Sequence, residues 1–90
     1  MSNTTYRRCP GVTERVMDDE AFLAHGETGG MFRLNVTGRA LWALMENPIS
    51  QDEAVAILAE AFPDHPREQI AKDVSDVLDA FVENDLATMV

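Results

Sequence analysis

Three side chains in this sequence have the chemistry to ligate a soft metal: Cys9, His25 and His65. They form no C-x-x-C or H-x-x-x-H pair, so the spacing of a built metal site is missing. Cys9 as a nucleophile would need a base held beside it, and its sequence neighbourhood supplies none. The glycine-rich stretch "GETGG" (26–30) is too short, and wrongly patterned, for a phosphate-cradling loop. Asp73, Asp76 and Asp79 step by three along a helical pattern, which is the signature of a solvated face more than of an acid–base pair. No catalytic set, metal site or cofactor site is read from the chain.

What remains is recognition chemistry, and it centres on "MFRLNVTGRALWALM" (31–45). Phe32 and Leu34 alternate with Met31 and Arg33, so the stretch opens as a strand with those two pairs on opposite faces. It becomes helical with Asn35 as the only hinge. The Asn35 side chain can accept from a free N–H of the first helical turn, and Thr37 is a second candidate for that role. A strand welded to a helix in this way holds its edge at a fixed place.

The elements around that weld follow from periodicity and punctuation. Residues 1–11, with Arg7 and Arg8 and then Pro10-Gly11, read as a flexible lead-in to a domain spanning 12–90. Val12, Glu14 and Val16 share one face of a first strand, and "AFLAH" (21–25) is a second. "DDE" (18–20) and "GETGG" supply the two turns. The helix after Asn35 runs to about Asn47, with a stripe of Ala40, Leu41, Leu44 and Met45 and with Trp42 beside it as packing; Pro48 closes it. Gly38 reads as a site of close helix packing. "ISQDEAVAILAEAF" (49–62) is a second helix with Ser50 and Glu53 as a capping box and Ala54, Ile57, Leu58 and Ala61 as its buried face. The third and longest helix follows Pro66, with Ile70, Val74, Val77, Leu78 and Phe81 as its apolar stripe. "LATMV" is a frayed end or a terminal strand. Strands followed by helices give an α+β class: a three-stranded antiparallel meander covered by three helices.

Ninety residues with 46% hydrophobic content make one small domain with a modest core. The net charge is −9, and residues 36–90 hold eleven of the sixteen acids against three of the seven bases. Such a surface repels a phosphate backbone and an anionic membrane, and favours a basic or apolar polypeptide. One cysteine, no apolar signal core and no long apolar run place the chain in a reducing cytoplasm.

The ordered set "FRLNVTGRALWALM", "ISQDEAVAILAEAF" and "REQIAKDVSDVLDAFVENDL" resembles the PqqD family, the recognition elements for ribosomally made, post-translationally modified peptides. The carrying positions are Phe32, Leu34, Asn35, Thr37, Gly38, Ala40 and Trp42, followed by the acid-spaced helix and its terminal "ENDL". The resemblance implies a winged-helix-like fold. It also implies that the leader of a precursor peptide adds as an extended strand to the third strand and lies against the third helix. The leader is then presented to a modifying enzyme, such as a radical S-adenosylmethionine enzyme, or to a leader peptidase.

The peptide-binding candidates are therefore Met31, Phe32, Arg33 and Leu34 on the strand, and Ala71, Lys72, Ser75, Leu78 and Val82 on one flank of the third helix. An exposed strand edge captures an extended chain through main-chain bonds, with side-chain pockets adding selectivity. Arg33 and Lys72 would meet leader carboxylates; their bland alternative is ordinary solvation, and that of the helix flank is a shallow core margin. The same open edge can pair with its own copy, which leaves a homodimer open. The rival functions are a winged-helix DNA-binding protein, against which the acids of the third helix argue, and an adaptor that binds only a protein enzyme.

Overall fold

The computed structural model describes residues 4–90. In chain order the elements are β1 (Thr5–Arg8), β2 (Val12–Met17), β3 (Glu20–His25), β4 (Met31–Leu34), α1 (Val36–Leu44), β5 (Ile49–Ser50), α2 (Gln51–Ala61), α3 (Arg67–Glu83) and β6 (Ala87–Met89). The expected meander is present as an antiparallel sheet ordered β2-β3-β4. Its first turn is made by Asp18 and Asp19, whose φ angles of 50° and 67° give the two left-handed residues that a tight hairpin of matching twist requires. In the second turn Gly29 takes a φ of 72°. His25 accepts the N–H groups of Glu27 and Thr28 on Nδ1, at 3.2 and 3.4 Å, and so is spent on shaping this turn.

A second antiparallel sheet, ordered β5-β1-β6, was not visible in the sequence. Its central strand is Thr5–Arg8, part of the segment whose polar composition reads as a lead-in. Tyr6 pairs with Ile49 on one side and Met89 on the other, so this segment is tied to both the middle and the end of the chain. Residues 1–3 lie outside the described residues. Arg8 reaches further still. Its guanidinium donates to the Trp42 carbonyl from Nε, at 3.2 Å, and from Nη2, and lies 4.5 Å from the centre of the Trp42 ring. The last turn of α1 carries no basic residue of its own, so Arg8 brings a cation to that negative helix end.

The helices begin where their caps dictate. Asn35 Oδ1 accepts from Gly38 N–H at 2.7 Å, which settles the choice between Asn35 and Thr37. Ser50 and Glu53 complete their reciprocal box at 3.1 and 3.2 Å. Helix α1 ends at Leu44, before Pro48 is reached. Helix α3 closes through "ENDL": Asp85, with φ 59°, lets Asp85 N–H reach Val82 O and Leu86 N–H reach Phe81 O, and the chain turns directly into β6.

The core gathers Leu23 and Leu34 from the meander, Leu41 and Trp42 from α1 with Met45 at its C-cap, and Val74, Leu78 and Phe81 from α3. The face of α2 differs from expectation. Ala54, Val55 and Leu58 are buried, while Ile57 is 43% exposed and Ala61 lies at the surface. Apolar residues surround much of this helix, so its own periodicity selects no single stripe, and packing against α3 and β5 selects it instead.

Asn35→Ala is expected to cost about 1 kcal/mol in urea denaturation, through loss of the cap. Arg8→Ala removes charge-assisted bonds and a stacked cation and is expected to cost about 1–3 kcal/mol. An Arg8→Ala variant as stable as the parent would return the first strand to the status of a loose lead-in.

Candidate functional site

The alternation of main-chain bonds along an antiparallel pair decides what the edge of β4 offers. His25 N–H donates to Gly30 O at 2.9 Å, and the register continues with Leu23 opposite Phe32 and Ala21 opposite Leu34. Bonded pairs alternate, so the main-chain groups of Phe32 and Leu34 are turned to β3. Those of Met31 and Arg33 are turned outward. No strand pairs with this outer side among the described residues.

Beside the edge lies α3, running past it in the opposite sense. Gly38 brings α1 close to both: a methyl group placed there would stand 3.4 Å from Leu34 and 3.7 Å from Val77. The Phe32 ring meets Phe81 edge-on, with centroids 5.8 Å apart. At one end of β4 a hollow of about 90 Å³ is lined by Met31, Phe32 and Asn84, among others. Past the other end a hollow of about 220 Å³ is lined by Val36, Thr37, Phe62, His65, Ile70 and Asp73. Ile70, Asp73, Val77, Ala80 and Asn84 recur at spacings of 3, 4, 3 and 4 on one stripe of α3. Ile70 is buried, the next three are half-buried and Asn84 is exposed. Asn84 of this stripe lines the first hollow and Ile70 and Asp73 line the second, and we read the stripe and the β4 edge between them as the two walls of a groove.

The sequence-derived candidates distribute unevenly over this geometry. Met31 and Arg33 present their main chain to the groove, and Phe32 presents the exposed part of its ring. Leu34 is 6% exposed and belongs to the core, as does Leu78, at 1%. Both side chains are turned into the core. Ala71, Ser75 and Val82 lie about 120–160° around the helix from Val77, at 100° per residue, and so sit on the flank away from β4. Lys72 is exposed and donates to Asp76 at 2.8 Å; this hydrogen bond, and the charge behind it, hold its ammonium above the ordinary range. Arg33 pairs with Glu20 at 2.7 Å, both at the surface, so an acidic ligand group would compete with an internal partner.

The groove residues that sequence reasoning passed over are Asp73, Val77, Ala80 and Asn84, with Phe62 and His65 at the far pocket. Their 3-4-3-4 spacing was the available signal. It was masked because Asp73 also fits the row of solvated acids and Val77 also fits the core stripe.

The chemically reactive side chains do not assemble. Among the described residues no three His, Cys, Asp or Glu side chains converge as a metal site would need. The Cys9 thiol is pushed up from its ordinary value, first by burial and then by Asp85, with Arg7 opposing. That is the reverse of activation.

A model of the family described as coenzyme PQQ synthesis protein D (PqqD) matches residues 20–87. The chain belongs to the PqqD family. Among solved structures, this PqqD-family chain is similar to TbiB1 in complex with the TbiA(beta) leader peptide. The two are 26% identical, with a TM-score of 0.75 over 90% of this chain and 93% of that one. It is also similar to a lasso peptide synthetase B1 complexed with its leader peptide, at 20% identity and a TM-score of 0.75, covering 92% of this chain and 96% of that one; this second likeness speaks for the fold. A search of curated proteins found no match.

Because Cys9 holds its proton more tightly than a free cysteine, its alkylation by iodoacetamide at neutral pH is expected to be slower than that of an unstructured cysteine peptide, and to accelerate as pH rises through the thiol's elevated range. A rate above the free-peptide value at neutral pH would reopen Cys9 as a nucleophile.

Proposed function

We propose that this protein captures the leader of a ribosomally made precursor peptide as an added strand on β4 and presents it to a modifying enzyme. The observation that carries this function is the unpaired outer side of β4 lying against the half-buried stripe of α3. Met31 and Arg33 supply two N–H donors and two carbonyl acceptors, and the stripe supplies a wall that dehydrates the incoming chain. Main-chain bonds give affinity regardless of sequence, while side chains dropped between β4 and α3 read the leader. Family membership and the likeness to TbiB1, a leader-bound protein, support the same conclusion.

The protein on this view is a binding adaptor, with no chemistry of its own to contribute. The partner acting on the captured peptide is an enzyme such as a radical S-adenosylmethionine enzyme or a leader peptidase. Duplex DNA is a poor ligand, since Asp73, Asp76 and Asp79 crowd the helix that would approach it. No helix among the described residues is long and apolar enough to cross a membrane. A second copy could pair through the same edge, and a homodimer of that kind would compete with peptide.

The test exploits the alternation of the edge. Leader peptides from short precursors encoded beside the protein are titrated by calorimetry against the parent, Arg33→Pro and Arg33→Ala. Proline at an outward-facing edge position removes a donor without touching the β3–β4 ladder. Arg33→Pro is expected to fold and to weaken binding about tenfold or more, the cost of one unmade bond to the ligand. Arg33→Ala keeps the donor and loses only the surface pair with Glu20, so its binding should stay within about threefold of the parent. Equal binding by the parent and Arg33→Pro would exclude strand addition at this edge.

A further inference from the structure

The pocket past the C-terminal end of β4 differs from the rest of the groove in its chemistry. Val36, Phe62 and Ile70 give it apolar walls, and its volume of about 220 Å³ exceeds what a few waters need, at about 30 Å³ each. His65 stands edge-on to Phe62 with ring centres 6.0 Å apart, which fixes that wall. Asp73 sits at the rim. It accepts from Gln69 Nε2 at 2.9 Å and has no ion pair among the described residues. Its neighbour Lys72 is committed to Asp76. The pocket thus combines an apolar shaft with one half-buried carboxylate awaiting a cation.

We propose that this pocket is a specificity subsite for a lysine or arginine side chain of the bound peptide. The assignment rests on strand addition at β4 and adds the class of residue that is read. Position agrees with it: an added chain in register with Met31 and Arg33, advancing about 3.3 Å per residue, passes over Val36 within two or three residues. The methylene stem of lysine or arginine fills the apolar shaft, and its charged head reaches the rim.

Two opposing effects are smaller. The free N–H groups of Val36 and Thr37 at the start of α1 would attract an anion, but a helix end amounts to about half a charge and the Asn35 cap already occupies one donor. Asp73 carries a full charge of the opposite sign, within a chain whose net charge is −9. A purely aliphatic side chain would fit the shaft but would strip water from the Asp73 carboxylate and return nothing to it. Tyrosine could offer a hydroxyl, and the experiment separates it.

A display library of random short peptides is selected on the parent protein, on Asp73→Asn and on Arg33→Pro. Peptides retained by the parent and lost on Arg33→Pro are expected to share lysine or arginine at one position. Replacing that residue with norleucine or tyrosine should weaken binding about tenfold on the parent, as for a charge-assisted bond, and much less on Asp73→Asn. Edge-dependent peptides that carry leucine or tyrosine there, or that keep the basic residue equally on Asp73→Asn, would overturn the subsite and leave strand addition standing. If no peptide depends on Arg33 main-chain donation, strand addition falls and the subsite with it.

Discussion

Four side chains in a line hold the molecule's working parts in register. The Arg8 guanidinium lies over Trp42, Trp42 meets Phe81 edge-on at 5.7 Å, and Phe81 meets Phe32 edge-on at 5.8 Å. The line begins in one sheet, crosses α1 and α3, and ends on β4 in the other. Phe81 has no exposed surface, so it is a fixed spacer. Each edge-on pair contributes about 0.5–1.5 kcal/mol beyond simple burial. Geometrically it contributes more: the distance between β4 and α3 is set by aromatic rings that cannot shorten. A groove of fixed width demands less ordering when a flexible peptide enters it, and that saving appears as affinity.

An open strand edge is usually a hazard, and this fold leaves two of them on its meander. The edge of β2 turns outward the main chain of Val12, Glu14 and Val16, by the same alternation, because Gly26 N–H bonds Gly11 O and Met17 lies opposite Glu20. A chain adding there would find backbone partners on a strand most of whose residues are exposed. Much of β2 is solvent-exposed, and Glu14 is tied back to Arg39 of α1 at 3.4 Å. On β4 a chain added as proposed would be walled by α3 and would gain side-chain burial as well as hydrogen bonds. The asymmetry between the edges arises from the weld at Asn35. It sends α1 directly under β4, and Gly38 permits α1 and α3 to close on the same spot.

Much of this was legible in the chain because the signals are local. Asn35 with Gly38, Ser50 with Glu53 and the paired aspartates at 18 and 19 each act within four residues, so sequence spacing states the physics completely. The strand at Thr5–Arg8 is the opposite case. Nothing in "TYRR" marks it, and its partners lie about forty-five and eighty residues away. Polar strands whose stability comes from distant pairing carry no period of their own. The flank of α3 is a different case. Apolar residues lie on both margins of its stripe, and only the placement of α1 against Val77 determines which margin is left as groove. The side chains Ala71, Ser75 and Val82 fit a groove or a shallow core margin equally well by spacing, and they lie on the margin turned away from Val77.

The distribution of charge then acquires a structural sense. Acidic side chains dominate the chain after Asn35, five of the eleven lying on α3, while two of the four arginines before it are committed: Arg8 to Trp42 and Arg33 to Glu20. Long-range attraction therefore favours a cationic or neutral extended chain and discourages nucleic acid. It decays over roughly 8–10 Å at physiological ionic strength, so it steers encounter without fixing register. Register must come from contacts inside the groove, where only Met31 and Arg33 present main-chain groups and only the end pockets are shaped. Affinity and sequence selection thus reside in different atoms. Under the proposed strand addition, that separation would let one rigid edge serve peptides of different sequence through changes confined to the pockets at its ends.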